Sequence, residues 1–228
     1  LLVNNGGDKH VESMCRWFRS NTRSYVPWAK YRSTRCKVVS PGKNLGFSGG
    51  NNYAAKRATA EWLLFINDDA FPQTENWLTQ LIATAEKHGA AAVGPISDYV
   101  LGLQHMKFGR AWPEVHPAKF LSGFCLLIKR KVFEKLGGWD ERFFHGDEDL
   151  DLSIRMRQHG FPILVVRSVF VHHAGEQSLS DLAASKGMTC KQWYQQTRDQ
   201  LIQKHGVYVQ YDLFETESLR VPPEQWRE

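Results

Sequence analysis

Three clusters of side chains in this chain have the types and spacing for chemistry. Asn67-Asp68-Asp69 stands at the end of the apolar run Trp62-Leu63-Leu64-Phe65-Ile66. Ligands of open α/β sheets sit beyond the carboxyl ends of strands, so carboxylates there face a crevice. Mg²⁺ or Mn²⁺ is held at such places by one or two carboxylates, with substrate phosphates supplying further oxygens. His172-His173 closes a second apolar stretch, Ile163–Val171, and beside an acidic turn such a pair suits a metal or a diphosphate. The third cluster, Asp147-Glu148-Asp149-Leu150-Asp151, packs four carboxylates into five residues. Acids in a first helical turn are favoured by the helix dipole. Four of them exceed what capping needs, which leaves one over for acid–base work. Each cluster also has a bland reading: Asn and Asp are common in strand-end turns, and a histidine at a strand end is often structural.

The elements that must position these groups can be read from periodicity. Five apolar residues in a row at 62–66 predict a strand buried on both faces, as in a parallel sheet. Cys36–Ser40 reads as a strand, 42–50 as a loop with four glycines, and Asn51–Ala60 as a helix capped by Asn51 or Asn52. Together they make one βαβ unit with a ligand-binding end. The glycine loop lacks the Gly-Lys-Ser/Thr and Gly-x-Gly-x-x-Gly patterns, which argues against ATPase and dinucleotide readings. Helices are expected over 10–21, 75–88, 131–136, 147–159 and within 180–206. Strands are expected at 90–95, 120–128 and 163–171. Residues 22–35 read as a polar loop. Residues 97–120 carry aromatics and histidines without a period, and read as a long loop flanking the cleft, closing as a lid or packed in place.

The blocks then resemble a family. Asn44-Leu45-Gly46-Phe47-Ser48-Gly49-Gly50-Asn51-Asn52 is followed by Ile66-Asn67-Asp68-Asp69. Next come Ser122–Arg130, Gly137–Phe144 and Glu148–Arg155, and then His172–Ser178. In this order they resemble the inverting nucleotide-sugar glycosyltransferases of family 2, with the rhamnosyltransferase-like members most similar. The resemblance spans roughly residues 1–180. It implies an α/β GT-A fold: a mostly parallel central sheet flanked by helices, as a domain over 1–180 with a helical extension over 181–228.

The resemblance also assigns roles. Asn4, Asn44, Gly46, Gly49, Gly50, Asn51, Asn67 and Asp68 fall at the donor nucleotide-sugar, a UDP- or dTDP-sugar. Asp69, with His173 rather than His172, falls at the divalent metal. Asp149 falls at the catalytic base, with Glu148 orienting substrate. Gly123, Trp139 and Asp140 fall at the acceptor, a saccharide or lipid-linked sugar. One base without a second nucleophile implies a single in-line displacement, hence inversion. Leu1–Val3 matches the family's second strand, so the chain reads as starting inside a fold, with weakened nucleotide contacts. A nucleotidyltransferase and an inactive sugar-binding remnant are the rival readings.

Composition sets the outer bounds. Hydrophobic residues make up 42% of the chain, enough for a sizeable α/β core. A net charge of +5 suits an anionic substrate or contact with an anionic membrane surface, and is too small to argue for nucleic acid. Four dispersed cysteines without a Cys-x-x-Cys suggest a reduced, cytoplasmic protein, at the inner face of the membrane if it meets lipid. No apolar run is long enough to span a bilayer, and no secretory signal is visible.

Overall fold

The computed structural model describes residues 1–3, 5, 37–100, 102–107, 113–175 and 177–206. The sequence expectations for Asn4, the helix 10–21, the loop 22–35 and the tail 207–228 lie outside these residues.

Strands β1 (Leu2–Val3) and β2 (Val38–Val39) form a two-stranded parallel ladder. The main sheet runs β3 (Trp62–Ile66), β7 (Cys125–Lys129), β5 (Ala92–Ile96), β8 (Ile163–His173), β4 (Ala70–Pro72), with β6 (Val115–Pro117) also on β8. Helix α1 (Gly46–Ala55) precedes β3, α2 (Trp77–Lys87) follows β4, and α3 (Arg130–Lys135) follows β7. Helix α4 (Glu148–Gln158) leads into β8, and α5 (Gln177–Ser185) and α6 (Cys190–His205) close the described chain. The expected boundary at residue 180 falls inside α5.

The α/β architecture is as expected, but the sheet is mixed rather than mostly parallel. Among the described residues only β1 with β2 and β5 with β8 run parallel; β3–β7, β5–β7, β4–β8 and β6–β8 are antiparallel. Nor is Trp62–Ile66 buried on both faces. Leu63 and Phe65 are buried, Trp62 and Leu64 are half-buried, and Ile66 is exposed. Among the described residues β3 pairs on one side only, with β7. The strands covered on both faces are β5 and β7, where Ala92–Pro95 and Cys125–Ile128 are buried. Above and below them lie two apolar layers, one around Phe65, Ile128, Trp139 and Met156, the other around Leu81, Val93, Leu127 and Val171.

Strand β8 connects core to site. Its first half pairs with β5 and β6, and its last three residues pair with β4 in the register Ala70↔His173. The strand is 11 residues long, two longer than its apolar run, and so delivers His173 beside the Asn67–Asp69 turn. That turn is set by the β3–β7 ladder, which continues into Asn67 N–H donating to the Phe124 carbonyl at 2.9 Å.

The helix expected over 51–60 is shifted. It starts at Gly46, so the glycines form its first turns instead of an open loop. Gly46 has φ +70°, and a Cβ there would meet the Phe144 carbonyl oxygen at 2.3 Å. Gly50 lets Asn5 pack directly on the helix, and Gly49 lets Leu45 do so. Asn51 and Asn52, expected as caps, are interior. Asn51 donates to the Phe47 carbonyl at 3.0 Å, and Asn52 holds both backbone groups of Trp139 at 2.9 Å.

Most of the expected loop 97–120 is anchored where it is described. Buried Gln104 donates to Pro95 and accepts from the Ser122 N–H, Ser97 bridges to His105, and β6 joins the sheet. Phe108 and Trp112 lie outside the described residues. Helix α6 is an integral part of the packing: Leu201 is fully buried against Phe120, Phe143, Leu150 and Ile154. Leu201→Ala is expected to cost about 2–5 kcal/mol of unfolding free energy, as for other buried leucines, and urea denaturation will measure it.

Candidate functional site

The three clusters meet on one cleft of about 500 Å³. Asn67, Asp68, Asp69 and His173 line it from the β3–β4 turn and the end of β8, and Glu148 and Asp149 from the start of α4. Asn44, Gly46 and Phe47 line it from α1, Gly123 from the entry to β7, and Tyr99, Ser122, His145 and Tyr194 from further elements.

At one end, His173 Nδ1 lies 2.8 Å from the Tyr99 carbonyl. A carbonyl only accepts, so Nδ1 carries a hydrogen, and Nε2 faces Asp69 Oδ1 at 3.3 Å. Two acceptor atoms facing each other need a cation between them, either a proton or a metal. The other Asp69 oxygen accepts the Gly175 N–H at 3.1 Å, and the Asn67 amide lies 3.4 Å from His173 Nε2. Hydrogen bonding to His173 holds the Asp69 carboxyl below its ordinary range despite burial. Burial opposes charge on His173, but Asp69 and the Tyr99 carbonyl outweigh it and raise its pKa. His172 points elsewhere: it pairs with Asp98 at 2.5 Å and stacks on Phe71. One carboxylate and one imidazole fit Mg²⁺ or Mn²⁺ whose remaining positions are filled by phosphate and water. Among the described residues no third His, Cys, Asp or Glu joins them.

At the other end the crowded carboxylates divide into two kinds. Asp147, in the left-handed region at φ 61°, is gripped by Arg198 of α6 at 2.8 and 3.0 Å, with Thr197 at 3.3 Å. Asp151 is fully buried among Arg155 at 2.7 Å, His205 at 2.7 Å and Lys204. Among the described residues no ion pair reaches Glu148 or Asp149. Glu148 is buried, and its Oε2 has no hydrogen-bond partner among the described residues. Burial, and then the neighbouring Asp149 charge, push its pKa well above the carboxylate range. Asp149 is raised chiefly by burial, with the Asp147 charge adding to the effect, against the N–H donors of Gly123 at 2.9 Å and Leu150 at 2.8 Å. Those donors fix both Asp149 oxygens in place. A fixed carboxylate of raised basicity is suited to taking a proton from a hydroxyl.

Several expected site residues stand apart. Trp139 is 2% exposed and packs edge-on against Phe47 and Phe65, so it serves the core. Asp140 is tied to Arg142 and Lys204, which hold its carboxyl far below the usual range, and it lines a different cavity. Gly49, Gly50 and Asn51 are not among the cleft's lining residues: the two glycines make room for Leu45 and Asn5, and Asn51 bonds within α1. Asn4 lies outside the described residues; its neighbour Asn5 lines the cleft, accepting from Leu45 N–H and donating to the Gly46 carbonyl. Tyr99 belongs to the aperiodic 97–120 stretch expected beside the cleft, and it lines the cleft. Arg198 carries no local signal, because it meets its partner from 51 residues away.

A sequence model of Glycosyl transferase family 2 matches residues 19–137. The N-acetylglucosaminyl-diphospho-decaprenol L-rhamnosyltransferase of Mycobacterium tuberculosis is 40% identical over 68% of this chain and 66% of its own length. The O-antigen biosynthesis protein RfbC of Myxococcus xanthus is 28% identical over 58% of this chain, which spans only 12% of that protein. Among solved structures, GalNAc-T7 with UDP, GalNAc and Mn²⁺ superposes with TM-score 0.59 at 16% identity, over 75% of this chain and 37% of its own. The mannosyltransferase of Pyrobaculum calidifontis with GDP-Man and Mn²⁺ superposes with TM-score 0.58 at 16% identity, over 77% and 47%. These structures share the fold, which is GT-A. Carboxyl ¹³C NMR titration is expected to give Asp149 and Glu148 midpoints above about 4, the ordinary carboxylate value. Asp69 and Asp140 should titrate below it.

Proposed function

Because the chain belongs to glycosyl transferase family 2, we propose that it transfers a sugar from a nucleoside-diphosphate donor to an acceptor hydroxyl, with inversion and with the help of a divalent metal. The observation that carries this reading is the convergence of Asp69, His173 and Asp149 on one cleft. Asp69 and His173 hold the metal, which when bound supplies positive charge to the leaving diphosphate. Asn44, Gly46, Asn67 and Asp68 bind the donor from the same side.

Asp149 accepts the proton of the acceptor hydroxyl. That oxygen forms the new bond to the anomeric carbon while the bond to the diphosphate oxygen breaks, and the electron pair leaves with the nucleotide. Gly123 N–H aims the carboxylate, and Glu148 orients substrate beside it. With Asp149 as the base and no second nucleophile assigned among the described residues, the reading is a single displacement. The donor is a UDP- or dTDP-sugar. The acceptor is a saccharide or a lipid-linked sugar, the latter supported by the mycobacterial relative, whose name specifies a diphospho-decaprenol. Such an acceptor would bring the protein to the inner face of the membrane from the cytoplasm. Among the described residues no helix is long and apolar enough to cross a membrane.

A thermal-shift panel of nucleotide sugars with and without Mn²⁺ is expected to show metal-dependent stabilisation by one of them. Asp69→Ala should abolish the metal-dependent part; its persistence would remove Asp69 from the site. Asp149→Asn should keep donor binding and lower transfer by about 10²–10⁴-fold, the range for general-base catalysis. Transfer at the wild-type rate would put the base elsewhere. In the wild type, kcat/KM should fall as pH drops through the raised Asp149 value, because the protonated carboxyl cannot accept the acceptor proton.

A further inference from the structure

We propose that Arg198 is a positioning residue for Asp149: from helix α6 it grips Asp147, fixes the left-handed turn that aims Asp149 into the cleft, and partly offsets the Asp147 charge. The proposal rests on the reading of Asp149 as the base. It extends the site into a helix beyond the matched stretch 19–137.

The geometry is a two-point clamp. Arg198 Nε meets one Asp147 oxygen at 3.0 Å and Nη2 meets the other at 2.8 Å, the planar fork that only arginine offers. Thr197 Oγ1 adds a third bond at 3.3 Å. One turn before them, Trp193 Nε1 donates to the His145 carbonyl at 2.7 Å, so α6 holds the 145–147 segment at two places. Gly146 lies between, at φ +100°, and a Cβ there would meet the Thr197 side chain at 3.4 Å. Asp147 itself has φ 61°, a conformation that costs a non-glycine residue energy unless its surroundings impose it. The clamp imposes it, and Glu148 and Asp149 follow directly as the first residues of α4.

The charges around Asp149 make the clamp electrostatic as well as steric. Asp147 and Glu148 flank it on its own turn, with His145 just before. Gly123 contributes an N–H from the entry to β7, and Asp68, Asp69 and His173 face it across the cleft. Asp151, on the same helix, is already matched by Arg155, Lys204 and His205. Arg198 is therefore the cation that partly offsets the Asp147 charge beside the base.

Carboxyl ¹³C NMR reads Asp149 without any substrate, with its resonance assigned through Asp149→Asn. In Arg198→Met the Asp149 midpoint should rise by about one pH unit, because the Asp147 charge is left uncompensated. In Asp147→Asn it should fall, because the Asp147 charge that raises it is gone, and asparagine tolerates the left-handed turn. In the double variant it should return close to the wild-type value. An Asp149 midpoint that stays put in a folded Arg198→Met protein overturns the proposal. If Arg198→Met does not fold, Asp147→Asn decides, and a midpoint unmoved or raised there overturns it. Absence of sugar transfer by the wild-type protein leaves these midpoints readable, so it bears on the proposed function alone.

Discussion

Like charges in contact repel, and four carboxylates at the start of one helix cannot all stay ionised without help. How this chain resolves that repulsion governs the shape of its cleft. Asp151 is compensated inside α4 by Arg155 and from α6 by Lys204 and His205. Asp147 is compensated by Arg198. Glu148 and Asp149 receive no cation among the described residues, and burial raises both. The two outer carboxylates thereby become structural anchors, and the two inner ones remain available for proton chemistry. A buried ion pair contributes little net stability once desolvation is counted. Its effect here is to specify which of several similar side chains faces the ligand.

The opposite wall obeys a different logic. Its groups come from sheet strands and depend on register. Strand β8 leaves the central sheet, pairs with β4 and ends at His173, so a slip of one residue would present His172 instead. Alternation along the strand explains why the two adjacent histidines have separate fates: one faces Asp69, the other Asp98.

What could be read from the sequence follows the same division. The positions of the Asn67–Asp69 turn and of His173 were legible because each lies at the end of a predicted strand, and that of Asp147–Asp151 because acids mark the first turn of a helix. The family resemblance gave the fold class and the order of the blocks. Local pattern failed where a long-range contact decides. Trp62–Ile66 reads as a doubly covered strand, but its partners are known only from the sheet order. The glycines at 46–50 read as a loop because glycine is a poor helix former. They are helical because Asn5 and Phe144 crowd that helix and leave no room for a Cβ. Trp139 looks like a sugar platform by its place in the block, yet Asn52, 87 residues away, draws its backbone into the core. Arg198 was invisible for the same reason.

The Asn52 contact also has a mechanical meaning. One buried amide satisfies both the N–H and the carbonyl of Trp139, and its neighbour Glu141 accepts a further bond from the same group. Together with Phe47 N–H on the Phe144 carbonyl at 2.7 Å, this joins helix α1 to the 139–144 segment as one rigid block. Helix α1 and the approach to the 145–149 turn therefore keep a fixed separation. Under the proposed function that span works as a ruler, admitting or rejecting a sugar by its dimensions before any part of the protein has to move.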